Sequence, residues 1–269
     1  MAAAVLLPAS PAPAETLGFY TLGVTPQFEQ RRLFAIWKPI VDELVRRTGL
    51  DIRLASTLSA QEFEAQLEKG SFDFIYANPY HVLRLSDTQG YIPLIRDREP
   101  LRGILVVRQD SPYRRVEELA GKTLAVPSPN ALGASLLLRA DLDRLFNTPM
   151  KVVNVQTHSS VYLNVLNGLT DAGGGVEKTL AEQEPAVRDG LRVLYTSRAM
   201  PSQPVAAHPR VPAAIREQLR KAMLAMAATP AGRALWDEVP MHTPVSTSLD
   251  DYLVMRKWGL DAYWVPGKK

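Results

Sequence analysis

His158 sits in a run of hydroxyl side chains, Thr157-His158-Ser159-Ser160, immediately after the apolar stretch Val152 to Val155. That order predicts a strand running into a helix. A helix start exposes unpaired backbone N–H groups carrying about half a positive charge, and an imidazole and hydroxyls beside them add directed donors. Such a cluster suits an oxyanion. The competing role for Thr157 or Ser159 is to cap the helix while His158 packs locally.

Four more junctions are of this kind. Val126-Pro127-Ser128-Pro129-Asn130-Ala131-Leu132-Gly133 offers Ser128, Asn130 and the backbone of Ala131 and Leu132. Asn130 also suits a helix cap, and Gly133 allows close backbone approach. Tyr76-Ala77-Asn78-Pro79-Tyr80-His81 presents an amide, Asn78, and an aromatic, Tyr80. Thr25 before Pro26 reads as the N-cap of a first helix. Gly173-Gly174-Gly175 precedes Glu177, which could meet a cationic group on a ligand or be an ordinary first-turn residue.

Enzyme chemistry finds few parts. The chain has no cysteine, so thiol nucleophiles, thiolate metal sites and disulfides are excluded. Gly133-Ala134-Ser135 lacks the second glycine of a nucleophile elbow, and neither phosphate-binding nor dinucleotide glycine motifs occur. The histidines at 81, 158, 208 and 242 have no metal-ligand spacing. No cofactor and no metal is expected. A hydrolase using His158 with Ser159 or Ser160 stays open as a remote alternative.

The elements that must position these residues alternate. Strands are expected at Leu17 to Val24, Asp51 to Ala55, Phe72 to Tyr76 and Tyr91 to Ile95, with helices between them, the first interrupted by a kink at Pro39. From Gly103 a second series begins. It has strands at Thr123 to Val126, Lys151 to Val155, Asp171 to Gly173 and Leu191 to Tyr195, and helices at Ala131 to Leu145, Ser160 to Asn167 and Lys178 to Arg188. Terminal helices at 211–228, 232–237 and 249–262 suit docking on the first series. Gly70-Ser71-Phe72-Asp73 and Gly168-Leu169-Thr170-Asp171 form an internal echo, each with glycine closing a helix and aspartate beginning a strand. The pattern predicts an α/β protein of two similar lobes, each a mostly parallel sheet flanked by helices, with a ligand cleft between.

With 269 residues, 31 Lys plus Arg against 28 Asp plus Glu, the chain lacks the dense basic face of a nucleic-acid binder. Residues 1–14, uncharged and ending Ala12-Pro13-Ala14, read as a signal-peptide remnant of an exported protein. No run approaches a membrane span.

Taken in order, these motifs resemble the periplasmic phosphate-, phosphite- and phosphonate-binding (PhnD-like) proteins of ABC transporters. The resemblance runs from about Gly23 to Tyr252. It rests on Gly23-Val24 with Trp37-Lys38-Pro39, Phe72-Asp73-Phe74-Ile75-Tyr76 leading to Pro79-Tyr80, Arg108-Gln109-Asp110-Ser111-Pro112, and His158-Ser159-Ser160-Val161 followed by Asn167-Gly168 and Asp171-Ala172. It implies a type II periplasmic binding fold hinged by crossover strands, with lobe 1 at 15–103 plus 203–269 and lobe 2 at 104–202. It further implies a monomer that closes on a small anionic or polar ligand for an ABC permease. An oxyanion sensor engaging the periplasmic domain of a histidine kinase is the alternative. By resemblance Tyr80 and His158 contact the ligand. One departure stands out: family members carry Ser-Thr-Ser where this chain has Ala131-Leu132-Gly133. Each lost hydrogen bond to a charged group is worth roughly 1.5 to 3 kcal/mol, so the ligand is expected to be an oxyanion held differently, or a less charged molecule.

Overall fold

The computed structural model describes residues 18–239 and 241–266; the signal-peptide expectation for 1–14 lies outside them. In chain order the strands are β1 (Tyr20–Val24), β2 (Ile52–Ala55), β3 (Phe74–Tyr76), β4 (Ile92–Asp97), β5 (Leu101–Arg108), β6 (Thr123–Val126), β7 (Lys151–Asn154), β8 (Ala172–Val176), β9 (Leu191–Met200), β10 (Pro204–Ala207) and β11 (Pro244–Ser246). The α-helices are α1 (Gln30–Thr48), α2 (Ala60–Glu68), α3 (Pro79–Arg84), α4 (Leu137–Arg144), α5 (His158–Leu166), α6 (Glu177–Ala181), α7 (Pro185–Arg188), α8 (Ala213–Ala227), α9 (Pro230–Asp237) and α10 (Asp250–Leu253). None is long and apolar enough to cross a membrane.

The strands form two sheets, ordered β11-β4-β10-β3-β1-β2 and β7-β6-β8-β5-β9. Each is mixed. The parallel part comes from the βα units read in the sequence, β2-β1-β3 and β7-β6-β8. The strands beside it run antiparallel, because the chain leaves the first sheet through β4 and β5 and returns through β9 and β10. The cores follow the same division. Leu33, Ile36, Trp37, Ile40 and Leu44 of α1 pack on the first sheet with α8 and α9, while Leu124, Val126, Leu138 and Leu142 fill one face of the second.

The internal echo is a repeated structural device. Gly70 and Gly168 both take positive φ, +65° and +69°, and close Schellman turns. In these, Ser71 N and Leu169 N reach Gln66 O and Asn164 O. Asp73 then accepts from Thr21 N and Oγ1 at 2.8 and 3.0 Å, and Asp171 from Thr123 N and Oγ1 at 2.9 and 2.7 Å. Each carboxylate thus fastens the first parallel strand of its sheet to the helix-to-strand return beside it.

Several expectations are revised. Thr25 does not cap α1, which begins at Gln30 with Glu29 as N-cap; the Thr25 hydroxyl donates to Tyr76 O instead. Helix α1 continues through Pro39. The helix expected over 178–188 is broken into α6 and α7 at Pro185, and the one over 249–262 becomes α10 and two 3₁₀ turns around Gly259, whose φ is +60°. Residues 252–265 do not dock on the first lobe alone. Arg84 pairs with Asp261 on the first-sheet side, while Arg144 donates to Trp258 O and Gly259 O, and Arg139 to Tyr263 O, on the second-sheet side.

Removing one staple leaves a strand amide without its charged partner. Asp171→Ala is therefore expected to cost about 2 kcal/mol, read as a lower urea midpoint with unchanged slope.

Candidate functional site

Five strand-to-helix junctions, after β1, β3, β6, β7 and β8, converge on one cavity of about 80 Å³. The junctions come from both sheets, and α2 and the crossover residues Leu101, Met200 and Gln203 complete the wall. Of the residues expected from sequence, Thr25, Asn78, Ser128, Ala131, Leu132 and His158 line this cavity.

The junction after β6 is built by backbone. Residues 132–136 form a π-helical turn that continues into α4, so both Ser135 N and Leu136 N reach Ala131 O, each at 2.9 Å. The amides of Leu132, Gly133 and Ala134 have no hydrogen-bond partner among the described residues, and these residues line the cavity. Glycines let the turn lie this close to the sheet. A side chain on Gly103 would strike the Gly133 carbonyl, and one on Gly174 would strike that of Ala134. The Gly173-Gly174-Gly175 run therefore admits the protein's own helices rather than a ligand.

His158 opens α5, whose N-cap is Thr157, its side chain accepting from Ser160 N at 3.1 Å. The imidazole is 7% exposed, and burial alone pushes its pKa down to about 4, so it is neutral at pH 7. Its Nδ1 lies 3.4 Å from Thr179 Oγ1. No serine hydroxyl is hydrogen-bonded to it among the described residues, which leaves the hydrolase arrangement without a paired nucleophile.

The other expected residues lie outside the cavity. Tyr80 packs among Leu83, Leu132 and Leu136 and against Trp264, with ring centroids 6.3 Å apart. Asn130 neither caps the π turn nor reaches the cavity. Its Nδ2 donates to Glu64 Oε2 and to Val265 O, both at 2.8 Å, and its Oδ1 accepts from Val265 N at 2.9 Å. Ser160 is engaged with Thr157 at 2.8 Å, and Ser159 and Glu177 face elsewhere.

In place of Glu177, its neighbour Lys178 lines the wall. It donates to Asp97 Oδ2 at 2.5 Å across the two sheets. Burial opposes ionisation of Asp97, but Lys178 and the amides of Thr243 and Glu99 outweigh it and hold the carboxyl below its usual range. Glu64 and His81 also line the cavity, 3.2 Å apart. Gln156 stands at its edge with a left-handed φ of 74°, unusual for a residue with a side chain. Periodicity gave no signal for these residues, because their partners lie far away in the chain.

Polar groups also bridge the sheets. Asn78 caps α3 by accepting from Tyr80 N at 2.9 Å and donates its amide to Asn130 O at 3.0 Å. Together with Asn130–Glu64 and Lys178–Asp97, this contact holds the two halves of the wall together.

Comparisons with known proteins agree with this architecture. No curated protein sequence matches. Among solved structures, a binding-protein component of an ABC phosphonate transporter from Pseudomonas aeruginosa is 15% identical with a TM-score of 0.78, covering 89% of this chain and 85% of that one. A Prochlorococcus marinus protein in complex with methylphosphonate is 11% identical with a TM-score of 0.79, over 92% and 99%. A Xanthomonas citri protein bound to ATP is 16% identical with a TM-score of 0.74, over 91% and 98%. These likenesses establish a two-lobed type II periplasmic binding fold. The sequence itself matches, over residues 22–252, the family model described as ABC transporter, phosphonate, periplasmic substrate-binding protein, and the chain belongs to that family.

Proposed function

We propose that this protein captures a small oxyanion, such as phosphate, phosphite, a phosphonate or an analogue, by closing its two lobes, and presents it to an ABC permease. One observation carries the reading: the unpartnered amides of residues 132–134 open on the same cavity as His158 and the start of α5. Backbone donors thus stand where side-chain hydroxyls serve in relatives. The sensing alternative shares this capture step and differs only in the membrane partner.

The wall also limits the ligand. A volume of about 80 Å³ suits a small solute and not a nucleotide such as the ATP bound by the Xanthomonas citri protein. Methylphosphonate, bound by the Prochlorococcus marinus protein, is of the right class. Lys178 is neutralised by Asp97, His158 is uncharged, and Glu64 adds a carboxylate. Among the described residues the wall therefore offers no uncompensated positive charge, which disfavours a fully ionised dianion. Release follows from separation of the lobes, since closure depends on contacts made across them.

Thermal-shift titration with phosphate, phosphite and methylphosphonate tests the reading, because a true ligand stabilises as RT ln(1 + [L]/Kd). His158→Ala is expected to lower the affinity of the tightest of the three at least tenfold, and Tyr80→Phe to leave it within about twofold; each ligand hydrogen bond is worth about 1.5 kcal/mol or more. An unchanged affinity in His158→Ala would falsify the site.

The Asp97–Lys178 pair generates a separate expectation. Asp97→Asn should cost about 2 kcal/mol at pH 7, since it strips a buried ion pair of one partner while Lys178 keeps some access to water. Asp97 has a depressed pKa, so its contribution is complete above the ordinary carboxylate value of about 3.9 and lost as pH falls through the lower folded value. The gap in urea midpoint between wild type and Asp97→Asn should be full at neutral pH and narrow only below about pH 4.

A further inference from the structure

His158 is held by Thr179, and the hydroxyl of Thr179 has only one proton to give. Val176 O lies 2.9 Å away and the Tyr162 hydroxyl 2.7 Å, and the tyrosine can itself donate to Thr179 or to Val176 O at 3.3 Å. Both are nearer to the Thr179 hydroxyl than His158 Nδ1 at 3.4 Å; with its proton directed at either of them, Thr179 meets Nδ1 as an acceptor, so the neutral imidazole carries its hydrogen on Nδ1. Nε2 is left as a lone pair that takes part in no hydrogen bond among the described residues, Nδ1 being the only ring atom engaged, on a side chain that lines the cavity.

We propose that His158 Nε2 accepts a hydrogen bond from the ligand, so that the cavity selects a protonated oxyacid, bearing an X–OH group, over the fully deprotonated oxyanion. Resting on the oxyanion reading above, this inference names the ionic form held. The bare oxygens of such a ligand go to the amides of Leu132, Gly133 and Ala134, and its hydroxyl goes to His158. A ligand without a proton would set an oxygen lone pair against that of Nε2.

The charged groups nearby are consistent with this division. From α2 and α3 come Glu64 and His81, from β4 Asp97 in its pair with Lys178 of α6, and outside the cavity Glu177 of α6 and Glu182 just after that helix. Tyr162 of α5 lies behind Thr179. None of these contributes to the low basicity of His158, which is set by burial.

Two isosteric probes separate the possibilities. Methylphosphonate carries one hydroxyl as a monoanion and none as a dianion; methanesulfonate is a monoanion with no hydroxyl at any pH. Calorimetry between about pH 5 and pH 9 should show methylphosphonate binding at least tenfold tighter than methanesulfonate at the acid end. Its affinity should then fall about tenfold per pH unit above its second ionisation, as for one linked proton. Nitrogen-15 NMR of the ligand-free protein should show the His158 hydrogen on Nδ1. Thr179→Val removes the acceptor, and should move that hydrogen to Nε2 and abolish the preference for methylphosphonate. A hydrogen on Nε2 in the wild type, or methylphosphonate affinity that is flat or rises with pH, overturns the inference while leaving the oxyanion reading intact. Failure of methylphosphonate, phosphite and phosphate to bind at any pH, with the Nδ1 hydrogen present, overturns the oxyanion reading and the ligand assignment built on it.

Discussion

Closing two sheets over a small cavity removes water from its wall, and a dry wall obliges each polar side chain to find a partner within the protein. That constraint explains most of what surrounds the cavity. Lys178 turns to Asp97, Asn130 to Glu64 and the carbonyl and amide of Val265, Asn78 to the Asn130 carbonyl, and the Thr25 hydroxyl to Tyr76 O. Satisfied in this way, these groups are no longer free to grip a solute, and all but the Thr25 contact, which stays within the first sheet, join the lobes. What the wall retains unpaired, among the described residues, is the set of donors that helix geometry cannot satisfy internally, the first amides of the π turn, together with Nε2 of His158, Glu64 Oε1 and the ring nitrogens of His81.

The same constraint accounts for the limits of reading the sequence. Strand β6 and the glycine–aspartate echo were legible because they are local, whereas the threonine that each aspartate fastens, 52 and 48 residues away, was not. The two-lobed order was legible for the same reason. The antiparallel strands were not, since an apolar run such as β5 does not encode which strand lies beside it or in which direction. The break at Pro185 was visible in the sequence and was passed over in favour of a longer helical pattern.

At the site, the junctions were legible and the side chains only in part. A strand-to-helix transition can be seen in a few consecutive residues, and His158, Ser128 and the 131–133 segment, named from such transitions, line the cavity. Asn130 is drawn away from the cavity by Val265, 135 residues along the chain, and Tyr80 packs against Trp264 of the same distant segment, contacts that no local pattern encodes. Glu177 and Lys178 differ by one position in a short helix, where a single step rotates a side chain by about 100° around the axis. Lys178 faces Asp97 and the cavity; Glu177 does not.

Replacing hydroxyls by backbone at the 131–133 turn alters the chemistry of the site as well as its strength. A serine hydroxyl donates or accepts according to need, whereas an amide only donates. In a wall whose helix starts supply amides, acceptor function has to come from side chains, among them the free Nε2 of His158 and Glu64 Oε1, which is buried without a hydrogen bond among the described residues. The glycines of β5 and β8 make this possible by letting the π turn settle against the sheet with its amides aimed inward. Loss of hydroxyls, close packing over glycine and a neutral histidine held by Thr179 are therefore parts of one arrangement, in which fixed donors and a fixed acceptor replace groups that could rotate to fit either kind of guest.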